Sequence, residues 1–366
     1  MSKRTLLRFA AAAVVAAIAA GAVVLARGGG ESEPAATGHA GVVEGTIWVA
    51  NEAGASLTAI DAGRNEVVAT LTGIAGPHNL QVSPDGRNVW AVSGHDAMAV
   101  MLDAQNFRVH GAVATGDEPA HVVVTPDGRT SYATNGADDT VTAIDTSTMK
   151  PVATIPVGMY PHGLRPSPDG KWIYVANAKG TTLSVIDTAR SVRVADVEVG
   201  ASPVQVAFSP DGRFVYASLN GENAVAKVDV AKRKLVGKLA VGVGPIQVYV
   251  SPDGRFLLVA NQGTEERPST TVSIVDIASF EVVKTVETGN GAHGVVIDPS
   301  SRHAYVTNIY GNDVAVLDLV EQEVVARIPV GDTPNGISFS PLTLGPHTEE
   351  KIDLGLDDGM EEMGHG

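Results

Sequence analysis

A block of about 42 residues recurs through most of the 366-residue chain and limits its fold more than any other feature. Pro77, Pro119, Pro161, Pro203, Pro245 and Pro334, with Ala292 standing in once, open successive units. Asp61, Asp103, Asp145, Asp187, Asp229, Asp276 and Asp318 recur at intervals of 42, 42, 42, 42, 47 and 42. Trp48, Trp90, Tyr132, Tyr174, Tyr216, Leu258 and Tyr305 form a third ruler that shares the same five-residue insertion. Each unit holds four apolar runs. In the unit from Gly158 to Val199, the turn Ser167-Pro168-Asp169-Gly170 separates the first two runs, residues 177–181 separate the next two, and Asp187-Thr188-Ala189 precedes the last. Proline pre-sets φ in such turns and glycine supplies a positive φ. The runs alternate with period two and are rich in Val, Ile and Ala, as strands covered on both faces should be.

A period near 40 with four strands per unit predicts a β-propeller. The chain starts at Gly45 with a second-type strand and leaves after Pro334 with a lone first-type strand over 336–340. Three N-terminal strands plus one C-terminal strand complete a seventh blade, and closing the ring removes an exposed sheet edge. The expected fold is all-β: a seven-bladed β-propeller with four antiparallel strands per blade over residues 45–341.

The tetrapeptides Tyr305-Val306-Thr307-Asn308, Tyr174-Val175-Ala176-Asn177 and Trp48-Val49-Ala50-Asn51 resemble the YVTN family of β-propeller repeats, as do the Ser-Pro-Asp-Gly turns and the Pro-His-Gly openings. The resemblance covers about residues 45–341. It implies the propeller fold and similarity to exported surface-layer propellers and to the d1-haem domain of periplasmic nitrite reductases. It implies a ligand site without specifying one.

Composition narrows the function. The chain has no cysteine, which excludes disulfides, thiolate metal sites, iron–sulfur clusters and a cysteine nucleophile. The formal charge is −15; setting aside residues 1–30, which carry four cations and no anion, leaves −19. A domain this acidic is repelled by phosphate backbones, so no nucleic-acid partner is expected. Lys3, Arg4 and Arg8 precede an uncharged run of 18 residues from Phe9 to Ala26. This is the layout of a secretory signal or an N-terminal anchor. Residues 1–27 are read as that segment, 28–44 as a flexible linker and 342–366 as an acidic, disordered tail. The expected location is periplasmic, cell-surface or secreted, with membrane contact only through residues 9–26.

Features that recur sevenfold are assigned to the fold. The seven aspartates are expected to cap the turns between third and fourth strands. Asn51, Asn135, Asn177, Asn261 and Asn308 are expected to be turn residues tolerant of left-handed φ. Trp48, Trp90 and Trp172 are expected to pack between blades. Positions that break the repeat are candidates for function. The Gly-x-x-Pro openings and the loops between second and third strands share one face, which also carries the insertion over 263–269. Variable loops on a rigid scaffold are the usual seat of function.

His78, His162 and His293 follow the opening proline or its substitute and are spaced two, three and two blades apart. They support a metal or haem site with imidazole ligands, or only local strand-opening chemistry. With blades about 10 Å apart, inner strands lie roughly 8–12 Å from the axis. On that geometry three imidazoles barely meet over one ion, and a broad flat ligand fits better. Asn79, Gln81, His121, Arg165, Gln205, Gln247, Tyr249 and Ser338 occupy alternate positions of the inner strands and are expected to fill the channel or line a pocket. Arg165 is the sole permanent cation in the set. Asn335 takes the place of the histidine in the last unit. In the tail, Met360, Met363 and His365 match a soft copper site, against the plainer reading of a solvated acidic end.

Three functional classes follow. The leading one is an exported, non-catalytic binding module that presents its variable loop face to a protein or small ligand. The second is a periplasmic redox-associated protein holding a haem-like group or a metal at the channel mouth; a haem-like group or copper is the possible cofactor, with neither demanded by the sequence. The third is a propeller lactonase or lyase using His with Asp117, Glu118 and Asp332. No Gly-x-Ser-x-Gly, phosphate loop or His-Glu-x-x-His is present.

Overall fold

The computed structural model describes residues 43–347 and 349–354. The signal or anchor segment, most of the linker and the tail trio Met360, Met363 and His365 lie outside the described residues. Within them, strands form six four-stranded sheets and one five-stranded sheet, each antiparallel through its four main strands. A representative blade runs Pro161–Pro166, Trp172–Asn177, Thr182–Asp187 and Val192–Glu198 from the channel outward. Among the described residues the one helical turn is a 3-10 segment, Asn220–Glu222.

The ring closes as the partial units require. Pro334–Ser340 pairs antiparallel with Thr46–Asn51, setting Ile337 opposite Val49 and Ser338 opposite Trp48. The expectation of disorder beyond 341 is corrected for 342–347 and 349–354. Glu349–Lys351 adds a parallel fifth strand to the outer edge of the closing blade, against Glu66–Thr72. Leu344 and Ile352 are buried in the same cluster as Leu71, Ile74 and Phe107. The outer strand offers an unpaired backbone edge, and two apolar side chains offer area to bury.

The hydrophobic core lies between blades. One cluster joins Tyr174, Leu183 and Val185 of one blade to Val206, Val215 and Ala217 of the next. Trp48, Trp90, Tyr132, Tyr174, Tyr216 and Tyr305 are the largest fully buried side chains, which is why the aromatic ruler persists. Trp172 is half-buried and carries the Arg233 guanidinium 4.7 Å above its ring.

The seven aspartates do cap their turns. Asp61 Oδ1 accepts from the backbone N–H groups of Gly63 and Arg64, and Asp318 Oδ1 from those of Val320 and Glu321. Four residues after each aspartate the chain adopts positive φ, as at Asn65, Met149 and Gln322. The asparagines differ from expectation. None of the five has a positive φ; that conformation falls further on, at Ala55, Asp139 and Asn312. Each is fully buried; four end their second strands, and Asn261 lies two residues before the end of Phe256–Gly263. Asn135 Nδ2 donates to the hydroxyls of Thr140 and Thr142, and Asn177 Nδ2 to those of Thr182 and Ser184. A buried amide needs partners, and third-strand hydroxyls supply them.

Candidate functional site

The inner strands do not alternate strictly. In the blade of Pro161, Pro161 pairs with Asn177 and Leu164 with Val175, so His162 and Gly163 together face a single partner residue. The same irregularity follows Pro119, Pro203, Pro245 and Ala292. A bulge of this kind re-aims side chains. In these five blades the two residues after the opening residue share one partner at the loop-face end, so both can turn toward the channel.

This places four histidines together. Ring centroids lie 5.1 Å apart for His78 and His162, 5.6 Å for His78 and His121, 4.7 Å for His121 and His162, and 6.4 Å for His78 and His293. One ring nitrogen from each of His78, His121 and His162 lies within 4.8 Å of the others. The expected separation was too wide, because the imidazoles reach inward from both sides and close most of the chord between their strands. Thr134 locks two of them: its hydroxyl accepts from the His121 N–H at 3.0 Å and donates to the His162 carbonyl at 2.8 Å.

The outer ring nitrogens are tied. His78 Nδ1 lies 3.1 Å from Glu52 Oε2, His162 Nδ1 3.3 Å from the Val204 carbonyl and His293 Nδ1 2.9 Å from Gln262 Oε1. The Val204 carbonyl and Gln262 Oε1 only accept, so Nδ1 of His162 and His293 carries the hydrogen and their Nε2 atoms present lone pairs; His78 Nδ1 meets an acceptor in Glu52 and a donor in Asn335 Nδ2, 3.0 Å away. His78 Nε2 and His162 Nε2 face each other at 3.2 Å. His121 Nε2 and His293 Nε2 are buried without a protein partner. His121 Nδ1 lies 3.4 Å from Gln205 Nε2.

Burial, reinforced by His78, pushes His162 and His293 down to about 3. Burial, then the neighbouring imidazoles and Arg165, holds His121 well below the ordinary histidine range. Burial alone would raise Glu52, but hydrogen bonds from His78 and Asn335 outweigh it and bring the carboxyl down to about 2. Asn335 Nδ2 donates to the same Glu52 oxygen at 2.7 Å. The mouth beside these groups is a cavity of about 330 Å³, lined also by His95, Glu118 and Tyr160.

The sequence-derived candidates divide into three groups. His78, His121, His162, His293 and Asn335 meet at the loop-face end. Asn79, Gln205 and Gln247 occupy the same strand position as His121, and Gln205 Nε2 lies against His121 Nδ1; Asn79 Oδ1 and Gln247 Nε2 are buried and unpartnered. Arg165 and Tyr249 stand at the opposite end, in a separate cavity with Gln81 and Ser338. Of the proposed lactonase acids, Glu118 lines the mouth, whereas Asp117 and Asp332 are exposed and Asp332 accepts from Asn312 Nδ2. Sequence reasoning missed Glu52 and Gln262. Both follow the buried second-strand asparagine, where other units place Gly94, Gly136, Ala178, Asn220 and Ile309. Glu52, the single charged residue at that position, was an available signal; Gln262 carried none.

Comparison with known proteins agrees with this architecture. Among solved structures, a chain of Kuenenia stuttgartiensis hydrazine synthase aligns with a TM-score of 0.66 at 26% identity, covering 74% of this chain and 91% of that one. A functionally unknown protein from Desulfotomaculum acetoxidans aligns with a TM-score of 0.73 at 17% identity, covering 81% and 99%. The dihydro-heme d1 dehydrogenase NirN, in complex with DHE, aligns with a TM-score of 0.60 at 17% identity, covering 80% and 74%. The latter two likenesses concern the fold. No curated protein matches in sequence. A family model matches residues 88–342, most of the ring, and with the seven closed blades it assigns the chain to the YNCE-like beta-propeller family.

Proposed function

We propose that this protein is an exported, non-catalytic binding propeller whose ligand is a divalent transition-metal ion, held by His78, His121 and His162 at the loop-face end of the channel. The observation that carries this reading is the convergence of one ring nitrogen from each of three imidazoles within 4.8 Å, with His78 Nε2 and His162 Nε2 only 3.2 Å apart. At this distance a ring hydrogen or a cation lies between the two nitrogens, and a cation can take the place of the hydrogen. At a Zn–N bond of about 2.0–2.1 Å, the edge of a tetrahedron is about 3.3 Å, close to this spacing. The outward bond from His78 to Glu52 is the carboxylate–histidine arrangement that orients metal ligands. All-imidazole donors suit Zn²⁺ or Cu²⁺.

The same spacing disfavours a haem-like group among these rings, because a flat macrocycle cannot pass between nitrogens that already converge on one point. Export rests on the basic and then apolar order of residues 1–27. The variable loops on the rigid ring are the surface for a protein partner. The test is titration of metal-stripped protein with Zn²⁺ and Cu²⁺ by calorimetry, with bound metal counted by mass spectrometry. One ion per chain, lost in His78→Ala/His162→Ala, is expected. Absence of stoichiometric binding, or retention by the double variant, overturns the reading.

A further inference from the structure

We propose that the opposite end of the channel is a second, separate site that binds a small organic monoanion, a carboxylate bearing an apolar group. Its residues occupy the fourth position after each opening residue: Gln81, Val123, Arg165, Ala207, Tyr249, Val296 and Ser338. Most of them line a cavity of about 310 Å³ beside the Ser-Pro-Asp-Gly turns.

The side chains facing this cavity have hydrogens to give. The Arg165 guanidinium carries five N–H donors. Its one hydrogen bond among the described residues is from Nη1 to the carbonyl of its own neighbour Leu164, at 3.2 Å. It makes no ion pair, whereas Arg64, Arg190, Arg193, Arg302 and Arg327 each lie against a carboxylate. Gln81 spends its oxygen on the Val124 N–H at 3.1 Å, which leaves its amide hydrogens free to donate. Ser338 accepts from the Val82 N–H at 3.1 Å, which leaves its hydroxyl hydrogen. Tyr249 adds a phenol, and no carboxylate lines the cavity.

A guanidinium drawn from water without a counter-charge is unfavourable. A bidentate carboxylate satisfies its fork and accepts from the neighbouring donors. Leu80, Phe208, Val296 and Ile337 provide apolar wall for the remainder of such a ligand. Charge on the rim limits the choice further. Asp85, Asp127, Asp169, Asp211 and Asp253 are each engaged by the hydroxyl of their own turn and stay at the surface. A rim of carboxylates repels a multiply charged anion more than a single charge, so a monocarboxylate is favoured over phosphate.

The experiment uses the full chain, with benzoate as probe and inorganic phosphate as comparison, read by ligand-observed NMR and calorimetry. Saturable one-to-one benzoate binding is expected, with phosphate a poor competitor. Arg165→Gln should weaken benzoate at least tenfold, Arg165→Lys less, and Tyr249→Phe a few-fold, all with unchanged Zn²⁺ binding. Non-saturable benzoate binding overturns the proposal, as does equal affinity in the Arg165 variants. Should Arg165→Gln not fold, unchanged affinity in both Arg165→Lys and Tyr249→Phe also overturns it. Displacement of benzoate by equimolar phosphate overturns the assignment to monocarboxylates.

Discussion

The two ends of the channel are built from the same inner strands, a few residues apart, yet they offer opposite chemistry. At the loop-face end, the tied Nδ1 atoms of His162 and His293 leave imidazole lone pairs pointing inward, beside the ring of His78. At the turn-face end, a guanidinium, an amide, a hydroxyl and a phenol offer hydrogens. One end attracts a cation and the other an anion. The scaffold is indifferent to this choice, because blade packing uses the apolar faces and the aromatic ruler. The inner strands need only pair with their second strands, so their channel-facing side chains can vary without cost to the ring.

The sharpest way to break the contrast is to exchange what each end can bind. His78→Ala/His162→Ala should abolish Zn²⁺ binding by calorimetry while benzoate affinity stays at the parent value; a shared loss would make the two ends one site. Glu52→Gln, which keeps the shape of the side chain against His78 but not its charge, should cost about 10–100-fold in Zn²⁺ affinity. Arg165→Gln should lower benzoate affinity by about tenfold or more, as loss of a charged hydrogen bond does, with Zn²⁺ unchanged.

Acid separates the ends as well. His162 and His293 titrate near 3 in the folded protein, against about 6.5 in an unfolded chain. Below pH 6.5 the unfolded state therefore binds protons first. These groups add nothing to stability above that pH and make the metal-free protein progressively less stable as pH falls toward 3. Glu52, at about 2 when folded against an ordinary 4.5, contributes stability above pH 4.5 that is lost as pH falls toward 2. Chemical denaturation at a series of pH values checks the slope, and Zn²⁺ should steepen it because protons compete for the ligands. Benzoate affinity should stay flat from pH 8 to 6, since a guanidinium does not titrate there. The smallest effect belongs to the scaffold. Asn177→Ala should reduce unfolding free energy by about 1–3 kcal/mol, as expected for buried hydroxyls left without their amide partner, and change neither ligand's affinity.

Legibility follows the same division. Asp61 to Asp318 and the Trp/Tyr ruler were readable because each does a job repeated in every blade. The histidines at 78, 162 and 293 stood out by breaking the repeat at one position. His121 sits one position later, and strict alternation separates it from them; only the bulge after the opening proline brings it to the same point. Glu52 and Gln262 were not singled out, because their partners His78 and His293 lie 26 and 31 residues further along the chain. The buried asparagines were misread as turn residues because burial and a positive φ leave the same residue type in the sequence. Leu344 and Ile352 were hidden by the acidic composition around them.

By itself the sequence determined the period, the strand count and the ring closure, since these follow from local alternation and turn chemistry repeated along the chain. Only the tertiary structure decided which side chains share a point in space. Closing a ring brings residues from separate blades to within 3.2 Å across the axis, and bulges choose which of them turn inward. No spacing along the chain encodes either distance.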